Sequence, residues 1–306
     1  MTRVAAVDCG TNSIRLLVAD LDGRTKTDLH REMRIVRLGQ GVDRTGVLDP
    51  AALERTRLAL VDYAAVCAEL GVDKTRMVAT SATRDARNRS DFVALVEAAL
   101  GVTPEVITGD EEAALSFTGA TADLDPADGP FLVMDIGGGS TELVLGTTSV
   151  EAARSVDVGC VRLTERHLLS DPPTVAEIAA ARADVDAGLA QVLEVVPASR
   201  ARTAIGLAGS VTTVAALALG LAAYDAEQIH LSRLSAEQVR RITAELLAMT
   251  RAERAALPVM HPGRVDVIGG GALVLERAMT LLGLVEVVVS ESDILDGIAL
   301  SVGGRA

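Results

Sequence analysis

The chain has 306 residues, with 29 Lys and Arg against 42 Asp and Glu for a formal charge of −13, and it is 49% hydrophobic but only 2% aromatic. The apolar content excludes a disordered chain, three scattered cysteines exclude a disulfide scaffold, and the acidity argues against nucleic acid or an anionic membrane as a general partner. The length suits two domains with cores of Ala, Val, Leu and Ile, in a reduced, cytoplasmic protein.

The first apolar run is interrupted by Asp8, so the N-terminus lacks the order of a signal peptide. Residues 3–18 align without a gap on residues 130–145, at a constant offset of 127, so that Asp8, Gly10 and Ser13 recur as Asp135, Gly137 and Ser140. Each copy predicts an apolar strand, a turn opened by Asp-x-Gly, and a second apolar strand: a β-hairpin tipped with small polar residues. Between the copies, helical patterns cover 50–70, with Asp49 and Pro50 at the start, and 90–100; strand-like runs cover 76–79 and 105–107. The loop 122–130, rich in Asp, Gly and Pro, marks the domain boundary.

Beyond the second copy, helices are expected over 174–195 and 235–249 and a strand over 285–289. Two glycine turns follow strand-like runs, one at Gly206, Gly209 and Ser210, the other, after 264–268, at Gly269, Gly270 and Gly271; both sit where a helix begins. Residues 204–224 form an uncharged stretch of membrane-spanning length, but its glycines and hydroxyls read as strand, turn and buried helix. Alternating strands and helices in two hairpin-started halves indicate an α/β protein of two lobes with a cleft between them.

Glycine turns let backbone amides approach phosphate oxygens, Ser and Thr hydroxyls donate to them, and an Asp can hold a divalent cation that bridges to phosphate. Glu111 and Glu112, at the start of a helical run over 109–119, fit either a general base that orients water or an acidic first turn that complements the helix dipole. Arg84, Arg87 and Arg89 cluster in an acidic chain; Arg84 is equally suited to phosphate and to an ion pair, whereas Arg87 and Arg89 read as solvated. His30, His167, His230 and His261 lack metal-ligand spacing, and Cys9 adjoins a phosphate-type loop with no evident base.

The strings 7–13, Thr80-Ser-Ala-Thr-Arg84, Gly109-Asp-Glu-Glu-Ala113, Met134-Asp-Ile-Gly-Gly-Gly-Ser-Thr-Glu142, Gly159-Cys-Val-Arg-Leu-Thr-Glu165, 206–213 and 264–271 resemble the exopolyphosphatase/guanosine pentaphosphate phosphohydrolase (Ppx/GppA) family. The resemblance implies an actin-like ATPase (ribonuclease H-like) fold, with lobes at 1–125 and 126–292 and a last helix, about 293–306, folding back onto the first. It implies Glu112 as catalytic base and Asp135 and Glu142 as acidic residues at the phosphate and metal site, with Asp8 a further metal candidate. Gly137, Gly138, Gly139 and Ser140 match one phosphate loop, Asn12 and Ser13 a second, Gly209 and Ser210 a third, and Arg84 a phosphate-contacting arginine.

The activity so implied is Mg2+- or Mn2+-dependent release of orthophosphate from inorganic polyphosphate. Guanosine pentaphosphate is the alternative substrate, a non-catalytic phosphate-ligand sensor or a kinase-like ATPase the rivals of another class. No interface pattern decides the homodimer that two-lobed relatives often form. Two departures stand out: the chain lacks the C-terminal helical extension of longer relatives, which bears on processivity, and Ile294-Leu-Asp-Gly297 lacks a basic residue that relatives often carry. Acidity around the site predicts that substrate binding depends on the metal.

Overall fold

The computed structural model describes residues 1–23 and 25–303. The chain divides into two compact units, Met1–Gly119 with the segment from Ile294 onward, and Ala120–Asp293.

The first unit comprises β1 (Thr2–Cys9), β2 (Ser13–Asp22), β3 (Thr25–Ile35), α1 (Val42–Thr45), α2 (Pro50–Glu69), β4 (Lys74–Ala79), α3 (Ser81–Asp85), α4 (Arg89–Leu100), β5 (Glu105–Val106) and α5 (Gly109–Thr121). Its sheet has the order β3-β2-β1-β4-β5, antiparallel through the first three strands and parallel from β1 onward. β1 is buried on both faces, so its side chains divide by parity. Ala5, Val7 and Cys9 join Tyr63, Phe92 and Val96 in a core with α2 and α4. Val4 and Ala6 point to the other face, which Ile294, Leu295, Ile298, Ala299 and Val302 cover from the C-terminal helix. α2 starts where the sequence says it should: the Asp49 side chain accepts from the amides of Ala51 and Ala52, and Pro50 occupies the first turn.

The second unit comprises β6 (Phe131–Ile136), β7 (Thr141–Gly146), β8 (Val150–Val156), α6 (Cys160–His167), α7 (Val175–Leu193), β9 (Thr203–Leu207), α8 (Ala208–Ala218), α9 (Ala226–Ile229), β10 (Arg233–Ser235), α10 (Ala236–Ala248), α11 (Arg251–Ala255), α12 (Ile268–Leu281) and β11 (Glu286–Val289); α13 (Ile294–Gly303) belongs to the first unit. Its sheet, β8-β7-β6-β9-β11-β10, repeats the first sheet's order and directions and adds β10, antiparallel, at one edge. The 127-residue repeat is therefore a repeat of topology, and the same α/β sheet order is realised twice. No helix among the described residues is long and apolar enough to cross a membrane; 204–224 resolves into β9, α8 and a following turn.

Two sequence expectations are corrected. Residues 264–267 form turns, not a strand, and Gly269, Gly270 and Gly271 lie inside the first turn of α12, not in a loop before it. The edge strand β3 escapes a pattern search because charges crowd it: Lys26, Asp28, His30, Arg31, Glu32 and Arg34 lie within its eleven residues.

Candidate active site

The two hairpin tips share one turn. The amide of Gly10 donates to the Ser13 carbonyl at 2.9 Å, and that of Gly137 to the Ser140 carbonyl at 3.0 Å. In both, the tip carbonyls are tied back to a neighbouring segment. Thr11 O accepts from Gly39 N at 2.8 Å, and Asn12 O from the amides of Val36 and Arg37 at 3.1 and 2.8 Å. In the second hairpin, Gly137 O accepts from Cys160 N at 2.9 Å and Gly138 O from the amides of Val161 and Arg162 at 2.9 and 3.2 Å. Arg162 Nε adds a bond to Gly139 O at 2.8 Å.

With the carbonyls turned away, the amides of Thr11 and Asn12, and of Gly138, Gly139 and Ser140, meet no backbone carbonyl among the described residues. Amides presented in this way form a concavity suited to an anion. The second loop is braced harder, because it sits on the first amides of α6. A side chain at Gly159 would place its Cβ 2.5 Å from the Gly138 carbonyl, so only glycine lets that helix approach.

The strand bases beneath the two tips differ. Asp8 faces Arg15 in the β1–β2 register, and they form an ion pair at 2.6 Å with the Asp8 side chain only 5% exposed. At the equivalent place Asp135 faces Glu142 in the β6–β7 register. Both are buried, 8% and 1% exposed, and Glu142 accepts from the Ser155 hydroxyl at 2.6 Å. Directly opposed like charges are unfavourable in a sheet, whereas the Asp8–Arg15 pair sets opposite charges face to face.

In the first unit, β5 leads into α5. Thr108 caps it: its amide and hydroxyl donate to Glu111 Oε2 at 3.0 and 3.1 Å, and the Glu111 amide donates back to its hydroxyl at 3.2 Å. Glu111 is thus a capping residue, the role that the acidic-first-turn reading allows it. Glu112, 8% exposed, instead meets Arg84 NH1 at 3.2 Å. The same guanidinium nitrogen donates to Ile107 O at 3.0 Å, which fixes Arg84 between the end of β5 and the head of α5. Arg87 has a structural use, donating to Thr45 O at 2.8 Å.

The third loop, in the second unit, lies where β9 becomes α8. Ala208 takes a left-handed φ of 67°, a strained conformation for a residue with a Cβ, and Gly209 and Ser210 follow in the first turn of α8. The Arg264 guanidinium fills the space that a side chain at 209 would need. Sequence reading missed Arg264 because it precedes a glycine triplet that looked like the functional element. The triplet has another use: at Gly271 a Cβ would stand 2.1 Å from Ser210 Oγ and 3.2 Å from Cys160 Cβ, so α12 packs directly against the starts of α8 and α6.

Burial pushes the thiol of Cys9 well above its ordinary value, helped by the neighbouring Asp8 charge, and burial likewise raises Cys160. Neither is poised as a thiolate nucleophile. Among the described residues no three His, Cys, Asp or Glu side chains gather as metal ligands.

The model of the Ppx/GppA phosphatase family matches residues 17–305. The chain is 54% identical to Exopolyphosphatase 2 of Mycobacterium tuberculosis, over 99% of each chain. A crystal structure of an exopolyphosphatase-like protein superposes with a TM-score of 0.97 at 46% identity, covering 99% of this chain and 98% of the other. An exopolyphosphatase from Cytophaga hutchinsonii does so at 0.89 and 26% identity, covering 97% and 96%.

Proposed function

The chain belongs to the Ppx/GppA phosphatase family, and from that premise we propose that it is an exopolyphosphatase releasing orthophosphate from the end of inorganic polyphosphate in the cytoplasm. The observation that carries this reading is the head of α5. Of two adjacent glutamates, one caps the helix and the other, Glu112, is held beside Arg84 at 3.2 Å. In the proposed reaction Glu112 accepts a proton from a water that attacks the terminal phosphorus in line. The bridging P–O bond breaks, and the products are orthophosphate and a chain one unit shorter.

Arg84 lies where it can offset charge on the attacked phosphoryl group while holding Glu112 in place. The amides of Gly138, Gly139 and Ser140, with those of Thr11 and Asn12 and the Gly209–Ser210 turn, bind phosphate oxygens; Ser13 and Arg264 are further contacts.

The facing carboxylates of Asp135 and Glu142 fit a divalent cation of the Mg2+ type, which commonly takes one or two carboxylates and completes its shell with water and phosphate oxygens. Bound there, the ion supplies charge neutralisation and polarisation of the phosphoryl group. Asp8 is the weaker candidate, because Arg15 already compensates its charge.

The deciding experiment is orthophosphate release from short polyphosphate, long polyphosphate, guanosine pentaphosphate and ATP, each with and without Mg2+. Mg2+-dependent release from polyphosphate in preference to the nucleotides is expected. Preference for guanosine pentaphosphate would move the activity to the alternative substrate, and binding with no release from any of them would identify a sensor.

A further inference from the structure

We infer that α13, the last helix, is a strut that sets the position of the helix bearing Glu112, with Gly297 as its contact point and Asp296 as its anchor. The inference rests on the reading of Glu112 as the base and assigns Gly297 and Asp296 as positioning residues. At Gly297 the two helices touch through backbone: a Cβ there would lie 2.0 Å from the Leu115 carbonyl oxygen, 2.8 Å from its carbon and 3.1 Å from its Cα. Backbone inside a helix cannot swing aside as a side-chain tip can, so α5 and α13 are held at one separation. Leu115 follows Glu112 by three residues, less than one turn, so a shift at Leu115 moves Glu112 with it.

The other side of α13 is tied down. The Asp296 carboxylate, 1% exposed, is held by Lys26 at 3.1 Å and by Arg31, both on β3. Ile298 and Ala299 fill the core beneath the helix. The backbone contact at Gly297 and the ion pairs at Asp296 thus define where α5 begins, and with it the 3.2 Å approach of Glu112 to Arg84.

Displacements near 1 Å at a reacting group can cost about 10²-fold in rate. Gly297→Ala is therefore expected to lower kcat for polyphosphate roughly 10- to 100-fold while KM changes less than about twofold, because the displaced group is the base and not a phosphate-binding loop. Ile298→Val, which thins the same core without widening the helix, is the control. It should lower the melting temperature yet leave kcat within about twofold of wild type. A Gly297→Ala enzyme with wild-type kcat, or an Ile298→Val enzyme that loses as much kcat, overturns the proposal. If Gly297→Ala does not fold, Asp296→Asn decides: a severalfold fall in kcat at unchanged KM supports the strut, and wild-type kcat overturns it. Glu112→Gln is assayed alongside. If it is inactive while Gly297→Ala is normal, only the strut fails; if it retains wild-type rate, the reading of Glu112 fails and the strut with it.

Discussion

The two hairpins of the repeat have the same turn and opposite charge logic. Gly10 to Ser13 and Gly137 to Ser140 close with one hydrogen bond each, at 2.9 and 3.0 Å, and both turn their tip carbonyls away from their tip amides. Beneath the first tip lies an acid paired with a base, Asp8 with Arg15; beneath the second lies an acid facing an acid, Asp135 with Glu142. The difference teaches that the backbone geometry for cradling phosphate and the electrostatics for handling its charge are separable. One copy sets opposite charges face to face at its base, whereas the other sets two acids face to face, the place where a divalent cation is proposed to bind.

The comparison can be broken most severely by making the second hairpin a charge copy of the first. Glu142→Arg sets an arginine opposite Asp135, supplying internally the charge that the proposed cation would supply. Loss of several kcal/mol of transition-state stabilisation is expected, on the order of 10³-fold in kcat/KM, together with loss of the Mg2+ dependence; a rate titration against Mg2+ checks both. The reciprocal change, Arg15→Met, strands Asp8 as an uncompensated, largely buried carboxylate. Stability should fall by about 2–3 kcal/mol, somewhat below the range for a fully buried pair, because the Arg15 side chain is 21% exposed. Urea denaturation measures it, and an unchanged midpoint would show that Asp8 finds its compensation elsewhere.

Smaller changes sharpen the picture. Gly159→Ala drives a Cβ into the Gly138 carbonyl and should displace the loop with an overpacking penalty of about 1–2 kcal/mol, seen as roughly a tenfold rise in KM with kcat less affected. Cys9→Ala removes a buried thiol at the base of the first tip. It should cost about 1 kcal/mol of stability and leave kcat within twofold, since a thiol raised by burial does not act as a nucleophile.

Much of this was legible in the residues. The hairpins, α2 with its Asp49 cap and the helix behind Glu112 follow from local patterns that the fold does not overrule. What escaped depends on distant partners. Thr108 three residues before Glu111 is a local capping signal, but what Glu112 faces depends on Arg84, far away in the chain. The triplet Gly269–Gly271 looked like a phosphate turn because small residues that allow helices to touch and small residues that allow phosphate to approach are the same residues. Arg264 and Gly297 are unremarkable in sequence and acquire meaning from what they rest against.

The most direct measurement is the initial rate of orthophosphate release from polyphosphate by Glu112→Gln beside wild type, at saturating Mg2+ and with folding verified by circular dichroism. The glutamine keeps the size of the side chain and a partner for Arg84 but cannot take a proton from water. The account predicts a fall in kcat of about 10²–10⁴-fold with KM nearly unchanged. A folded Glu112→Gln protein that releases orthophosphate at the wild-type rate would contradict it.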